Sequence, residues 1–240
     1  MIYFIVPVYN EELNIEELAS SLKKVLPERE KFFVFIDDHS TDNTLKNIDL
    51  YFGSMKYHII TKEKNAGPGD SFNIGFEYLL DKTLKEDLII TIEADNTSSL
   101  EILDKMVTIS ELGYGIVLAS PYAQGGGFEE TTLIRKILSF VANTALRFIF
   151  DIKVLTLSSF YRVYKPEAIT QIKNKYGVII EEPGFICMVE VLIKAIRCKI
   201  SIIEVPMVLS SNKRKGRSKM KIMRTMINYS AFLLKNIFKK

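Results

Sequence analysis

The chain has 240 residues, of which 48% are apolar and 25% charged, a composition that excludes disorder and collagen-like repeats and allows one large or two small domains. Two cysteines, Cys187 and Cys198, and two histidines, His39 and His58, are too few and too scattered for a disulfide scaffold or a structural zinc site. The net charge of +3 is unevenly divided, since residues 211–240 carry ten Lys or Arg and no acid, leaving −7 on the rest. A basic end on an acidic body is expected to meet an anion: a phosphorylated substrate, nucleic acid or a membrane surface.

In chain order, short β-branched and aromatic runs fall at Ile2–Val8, Phe32–Ile36, Tyr57–Thr61, Leu88–Ile92 and Gly115–Ala119. They are continuous rather than alternating, so each predicts a strand covered on both faces. Between them, helical apolar spacing marks a segment through Leu18, Leu22, Val25 and Leu26 with Asn10 as its N-cap, then Ser71–Leu80 and Ser98–Leu112. The alternation predicts an α/β fold with a mostly parallel sheet and helices on both faces. Beyond residue 120, Gly125-Gly126-Gly127 leads into Thr131–Phe150, which has a broad apolar face, Arg135, Lys136 and Arg147, and no acid. It reads equally as a buried helix with a basic edge or as a helix lying in a membrane interface.

No run approaches the roughly 18–20 apolar residues of a membrane span. The N-terminal run lacks the positive flank and cleavage site of a secretory leader, so an intracellular protein is expected.

In parallel sheets ligands sit beyond the carboxyl ends of the strands. There the chain places Tyr9-Asn10-Glu11, Asp37-Asp38-His39-Ser40, Asn65-Ala66-Gly67 and Glu93-Ala94-Asp95-Asn96. Each has a plain reading as capping or turn chemistry, but four polar ends converge on one edge. Glu93 and Asp95 offer hard oxygen ligands to Mg2+ or Mn2+, which take one or two carboxylates plus substrate phosphates. The chain has no dinucleotide fingerprint, no Walker A sequence and no G-x-S-x-G elbow.

Val6-Pro7-Val8-Tyr9-Asn10-Glu11-Glu12, Asp37-Asp38-His39-Ser40-Thr41-Asp42, Asn65-Ala66-Gly67 and Glu93-Ala94-Asp95 together resemble the family 2 glycosyltransferases of the GT-A fold. Ser120-Pro121-Tyr122, Arg135 with Ser139, Phe160-Tyr161-Arg162, Gly184-Phe185 with Glu190, Glu204-Val205-Pro206 and Gly216-Arg217-Ser218-Lys219 are similar to the dolichol-phosphate mannose synthase-like branch. The resemblance implies an inverting transfer from a nucleotide diphosphate-sugar to a polyprenyl phosphate, by a GT-A domain over 1–210 and a basic amphipathic segment over 211–240. It places Pro7, Tyr9, Glu11, Ile36 and Asp38 around the nucleoside and Glu93, Asp95 and Thr97 at the metal. Ala94, Lys213 and Lys219 join the acid pair in binding the sugar nucleotide. The catalytic set becomes Asp95, Arg135 and Ser139, with Arg135 and Ser139 holding the lipid phosphate.

Three positions depart from the family pattern: Glu93 stands for an Asp, Pro121 for an Arg and Thr156 for an Asp. A transferase acting on a glycan hydroxyl and a nucleotide-sugar binder without turnover are the rival readings. A hydroxyl acceptor would require a base from Glu181, Glu182 or Glu190, whereas a phosphate acceptor requires none. The expected setting is the cytoplasmic face of a membrane, with tail residues such as Phe232 entering lipid and no nucleic-acid partner.

Overall fold

Side chains that alternate along the inner strands feed two separate cores. The computed structural model describes residues 1–130 and 133–216, together with residues 225, 229, 231 and 232. Within 133–150 the side chains at 134–136, 138 and 142 lie outside the description. From β1 (Ile2–Val8), Ile5 points to one core while Phe4, Val6 and Val8 point to the other. In β2 (Lys31–Asp37), Val34 and Ile36 join the first and Phe33 and Phe35 the second. Helices α1 (Ile15–Lys24), α2 (Thr44–Phe52) and α4 (Leu103–Glu111) cover the second core. The first core is closed by α3 (Pro68–Leu80), α6 (Pro166–Tyr176) and α7 (Cys187–Arg197). Helix α5 (Leu133–Phe150) adds Leu146 and Phe150 to it.

The other strands are β3 (Lys56–Thr61), β4 (Leu88–Thr91), β5 (Ile116–Ser120), β6 (Gly127–Glu129), β7 (Arg162–Tyr164), β8 (Ile202–Pro206) and β9 (Val208–Ser210). Seven strands form one sheet in the order β3-β2-β1-β4-β7-β5-β8, all parallel except β7, and β6 pairs with β9 separately. Strand order reverses between β1 and β4, and such a switch point opens a crevice at the carboxyl edge. Because β7 runs the opposite way, its first residues also sit at that edge, together with the loop before it.

Three local expectations are corrected. Strand β3 is not covered on both faces, because it is a sheet edge and Lys56, His58 and Thr61 are exposed. Asn10 does not cap α1; it is left-handed (φ 52°) and its side-chain oxygen accepts from the Thr41 amide at 2.8 Å, while Asn14 stands at the helix start. Phe232 is not free to enter lipid, being 4% exposed and packed beside Phe150 with ring centroids 6.2 Å apart. The other tail residues expected to meet lipid lie outside the described residues. Among the described residues no helix is long and apolar enough to cross a membrane.

The Phe232 contact makes a stability prediction. Truncating a buried phenylalanine costs about 3–5 kcal/mol, so Phe232→Ala should lower the urea unfolding free energy by about 3 kcal/mol. A loss below about 1 kcal/mol would mean that the tail does not pack on the body.

Candidate active site

The sheet pairs β1 and β4 in parallel, Ile2 to Ile5 against Leu88 to Thr91, with β1 running on to Val8. The residues that follow, Glu11 on one side and Glu93 and Asp95 on the other, therefore meet at the switch point. Asp95 is the fixed member of this acid cluster. One of its oxygens accepts from the Thr97 amide at 3.1 Å and the Thr97 hydroxyl at 2.7 Å. The other faces a guanidinium: Arg214 Nε donates to Oδ2 at 2.7 Å, and a terminal nitrogen of the same group donates to the same oxygen. Thr97 thus orients the carboxylate.

Glu93 keeps part of its length open to solvent while its carboxyl sits deep. Burial pushes that carboxyl up to about 8; Asp95 adds to the rise, Arg214 opposes it and Glu11 adds again. Burial works against the Arg214 charge in turn, and Asp95, with Glu93 and Glu11 behind it, more than restores it. Glu11 is buried and accepts from Asn14 Nδ2 at 2.6 Å. A cavity of about 280 Å3 adjoins the cluster, lined by Glu93, Asn96, Leu100, Ser21 and Lys213.

Glu93 and Asp95 suit a divalent cation, because Asp95 Oδ2 already takes a positive group and negative charge dominates the cluster. Among the described residues no group of three or more His, Cys, Asp or Glu side chains is placed to hold a metal alone. Two carboxylates completed by phosphate oxygens is the partial set that Mg2+ commonly uses.

The residues expected around a nucleoside are distributed less simply. Pro7 and Tyr9 are half-buried at the crevice. Ile36 and Ala94 are buried in the core, 0% and 3% exposed, so they reach a ligand only through their backbone. Asp38 is heavily engaged: its oxygens accept from the Ala66 and Gly67 amides at 2.7 and 2.9 Å and pair with Lys62 at 2.7 Å. Lys62, itself buried, also pairs with Asp70 at 2.7 Å. Asp38 therefore anchors the 65–67 loop beside the crevice. Gly67 has φ 97°, and a Cβ there would lie 2.6 Å from the Pro183 carbonyl oxygen.

Across the sheet, Ser120 at the end of β5 shares a 2.6 Å hydrogen bond with the Thr156 hydroxyl. Glu204 accepts from the Leu155 and Thr156 amides at 2.7 Å each. Glu190 accepts from the Glu181 and Glu182 amides at 3.0 and 2.9 Å and pairs with Lys194 at 2.7 Å. Both its oxygens hold the 181–182 turn, which leaves it a poor general base. Ser139 is half-buried on α5 and Lys213 is exposed beside the cavity. The side chain of Arg135 and all of Lys219 lie outside the described residues. Sequence reasoning missed Arg214, Asn14 and Lys62, since nothing local distinguishes them from other polar residues.

The fold is α/β, and an acid cluster lies at its switch point. Residues 3–172 match the glycosyl transferase family 2 model, and the chain belongs to that family. It is 30% identical to a dolichol-phosphate mannosyltransferase of Pyrococcus furiosus over 221 residues, covering 90% of this chain and 58% of that protein. It is 24% identical to a polyprenol monophosphomannose synthase of Mycolicibacterium smegmatis over 218 residues, or 90% of this chain and 79% of that one. The chain thus spans little more than half of the first relative's length. Among solved structures, a glucosyl-3-phosphoglycerate synthase from Mycobacterium tuberculosis, in complex with Mn2+, UDP-glucose and phosphoglyceric acid, superposes with a TM-score of 0.69 at 16% identity. The match covers 99% of this chain and 79% of that one, and it establishes the GT-A-like fold.

The raised Glu93 carboxyl predicts a pH effect in metal-free protein. The folded state holds this proton up to about pH 8, whereas the unfolded chain releases it near 4.5. Between those values the native state binds more protons, so its stability falls as pH rises. Relative to Glu93→Gln, the wild type should therefore lose stability from about pH 5 to about pH 8. A constant difference across that window, followed by urea unfolding, would contradict the assignment.

Proposed function

We propose that the protein transfers a sugar, with inversion, from a nucleotide diphosphate-sugar to a polyprenyl phosphate at the cytoplasmic face of a membrane. The observation that carries this reading is an apolar groove opening from the same sheet edge as the acid cluster. The groove, of about 450 Å3, is lined by Pro121, Tyr122, Phe128, Ile137 and Phe140. Along α5 the exposed apolar side chains continue through Leu133, Val141 and Phe148, the last 90% exposed. A helix with this exposed apolar face and basic flanks suits the headgroup and acyl boundary of a bilayer. The names of the Pyrococcus and Mycolicibacterium relatives support the same acceptor class.

In this mechanism a lipid phosphate oxygen attacks the anomeric carbon from the face opposite the diphosphate, and the bond to the diphosphate breaks. The attacking monoester is already anionic near neutral pH, so no side chain need remove a proton. Pro7, Tyr9, Glu11 and Asp38 line the nucleoside subsite, with the backbone at Ile36 and Ala94. Lys213 and Lys219 meet the diphosphate, and Arg135 and Ser139 orient the acceptor phosphate. Arginine suits that task because its planar fork matches phosphate oxygens. Glu93, Asp95 and Thr97 would hold Mg2+ or Mn2+, which when bound draws charge from the departing diphosphate.

The test is transfer of labelled sugar in vesicles containing polyprenyl phosphate or the corresponding alcohol. Label should enter the lipid fraction only with the phosphate, and Asp95→Ala should reduce the rate by about 100-fold or more, as losses of charge-stabilising groups do. Equal transfer to the alcohol, or transfer only to glycan hydroxyls, would overturn the reading. Arg135→Ala should raise the KM for acceptor and leave donor affinity nearly unchanged.

Membrane association has its own expected outcome. Phe148→Ser with Phe140→Ser should weaken flotation with anionic vesicles at high salt, where screening has removed most of the charge attraction. Unchanged flotation would remove α5 from the contact.

A further inference from the structure

The segment that follows β9 crosses back over the acid cluster and is tied down at several points. Asn14 Nδ2 donates to the Lys215 carbonyl at 3.0 Å, and the Lys215 amide donates to Asn14 Oδ1 at 2.9 Å. Lys215 Nζ lies 3.2 Å from Glu17 Oε2, and Asn96 Nδ2 donates to the Asn14 carbonyl at 3.0 Å. Between Lys213 and Lys215 stands Arg214, whose guanidinium is aimed inward at Asp95 and is 21% exposed against 9% for its partner. Gly216, which follows Lys215, is left-handed at φ 91°. The anchors on Asn14 and Glu17 thus present one cation, from 119 residues away in sequence, to the oxygen of Asp95 that Thr97 does not use.

We propose that Arg214 is a built-in counter-ion for the Glu93–Asp95 pair, which a divalent cation displaces, so that metal loading loosens the 213–216 strap. This inference rests on the metal-dependent reading of the site. The argument is one of shared space and charge. A metal ion bound through Asp95 Oδ2 would compete for the oxygen that the guanidinium nitrogens now occupy. The two cations would also repel each other at contact distance. Asp95 keeps its other oxygen on Thr97, so it cannot easily serve both by turning. By linkage, anything the metal must displace lowers its affinity, and the metal weakens that contact by the same factor. Once released, Arg214 stays within the strap, whose neighbour Lys213 already borders the cavity beside Glu93. A diphosphate arriving there with the metal would be its nearest new anionic partner. Arg214 then acts as a positioning residue that couples the strap to the state of the site.

The test is Mn2+ binding to the full chain without donor, read by the electron paramagnetic resonance signal of free Mn2+. Arg214→Gln should bind Mn2+ about tenfold more tightly than wild type, within the usual range for two coupled sites. Arg214→Lys, which keeps the charge, should fall between them. A second measurement uses only the wild type, in case the Gln variant folds poorly: tryptic cleavage after Arg214 should quicken several-fold when Mn2+ is added. Equal or weaker Mn2+ binding by Arg214→Gln, or cleavage of the wild type indifferent to Mn2+, would overturn the latch while leaving the metal site intact. If neither protein binds Mn2+, the metal-dependent reading falls and the latch with it.

Discussion

Three carboxylates, those of Glu11, Glu93 and Asp95, are brought to one sheet edge, where burial first and their mutual repulsion second govern the organisation of the site. Two unit charges about 4 Å apart interact by roughly 4 kcal/mol at the effective dielectric of a protein surface. The sheet order brings this crowding about, because β1 and β4 are parallel neighbours and the residues that follow both enter the same crevice. The chain answers in three ways. Glu93 takes up a proton, Thr97 and Asn14 donate to Asp95 and Glu11, and Arg214 supplies a full positive charge. A cluster that burial and repulsion require to be neutralised has the charge that the proposed divalent cation and diphosphate would meet, so the folding constraint and the proposed chemistry bear on the same residues.

The opposite side of the edge is arranged for shape. Arg162 is fully buried and donates to the carbonyls of Ser159 and Leu157 at 2.8 and 2.7 Å, which fixes the turn entering β7. Glu204 holds the Leu155 and Thr156 amides, and Thr156 meets Ser120 through its hydroxyl. The residue that departs from the family's Asp at 156 is thus accommodated by a neutral pair, without an extra charge beside β5. Glu190 is spent on the 181–182 turn and on Lys194. With these groups committed to holding loops, the proposed transfer would rest on positioning and on charge, as suits an acceptor that arrives already ionised.

Much of this was legible in the sequence where one physical rule dominates. Continuous apolar runs gave away β1, β2, β4 and β5, because strands buried on both faces have no room for polar alternation. The Glu93-Ala94-Asp95 pair was visible for the same reason, lying just past such a run. Other features were hidden because they depend on distant partners. The reversed direction of β7 is a matter of how the chain enters the sheet, and the three residues Arg162–Tyr164 carry no mark of it. Strand β3 has the residues of an inner strand, yet among the described residues no strand pairs with its outer side. Asn10 has the chemistry of a cap and instead adopts a left-handed turn that ties the first loop to Thr41. Arg214 is one of ten basic residues in the last thirty, and no local signal in the sequence marks its fold-back against Asp95.

The account's central claim is that the acceptor brings its own negative charge and the protein supplies no base. The most direct measurement is the pH dependence of kcat/KM for the lipid acceptor at saturating donor and metal, compared between the phosphate and its phosphonate analogue. The account predicts a rise governed by the second ionisation of the acceptor, about 6 for a phosphate monoester, and a shift of the whole profile to the higher ionisation of the phosphonate. A profile that stays in place when the acceptor is changed would assign the ionisation to a side chain and contradict the claim.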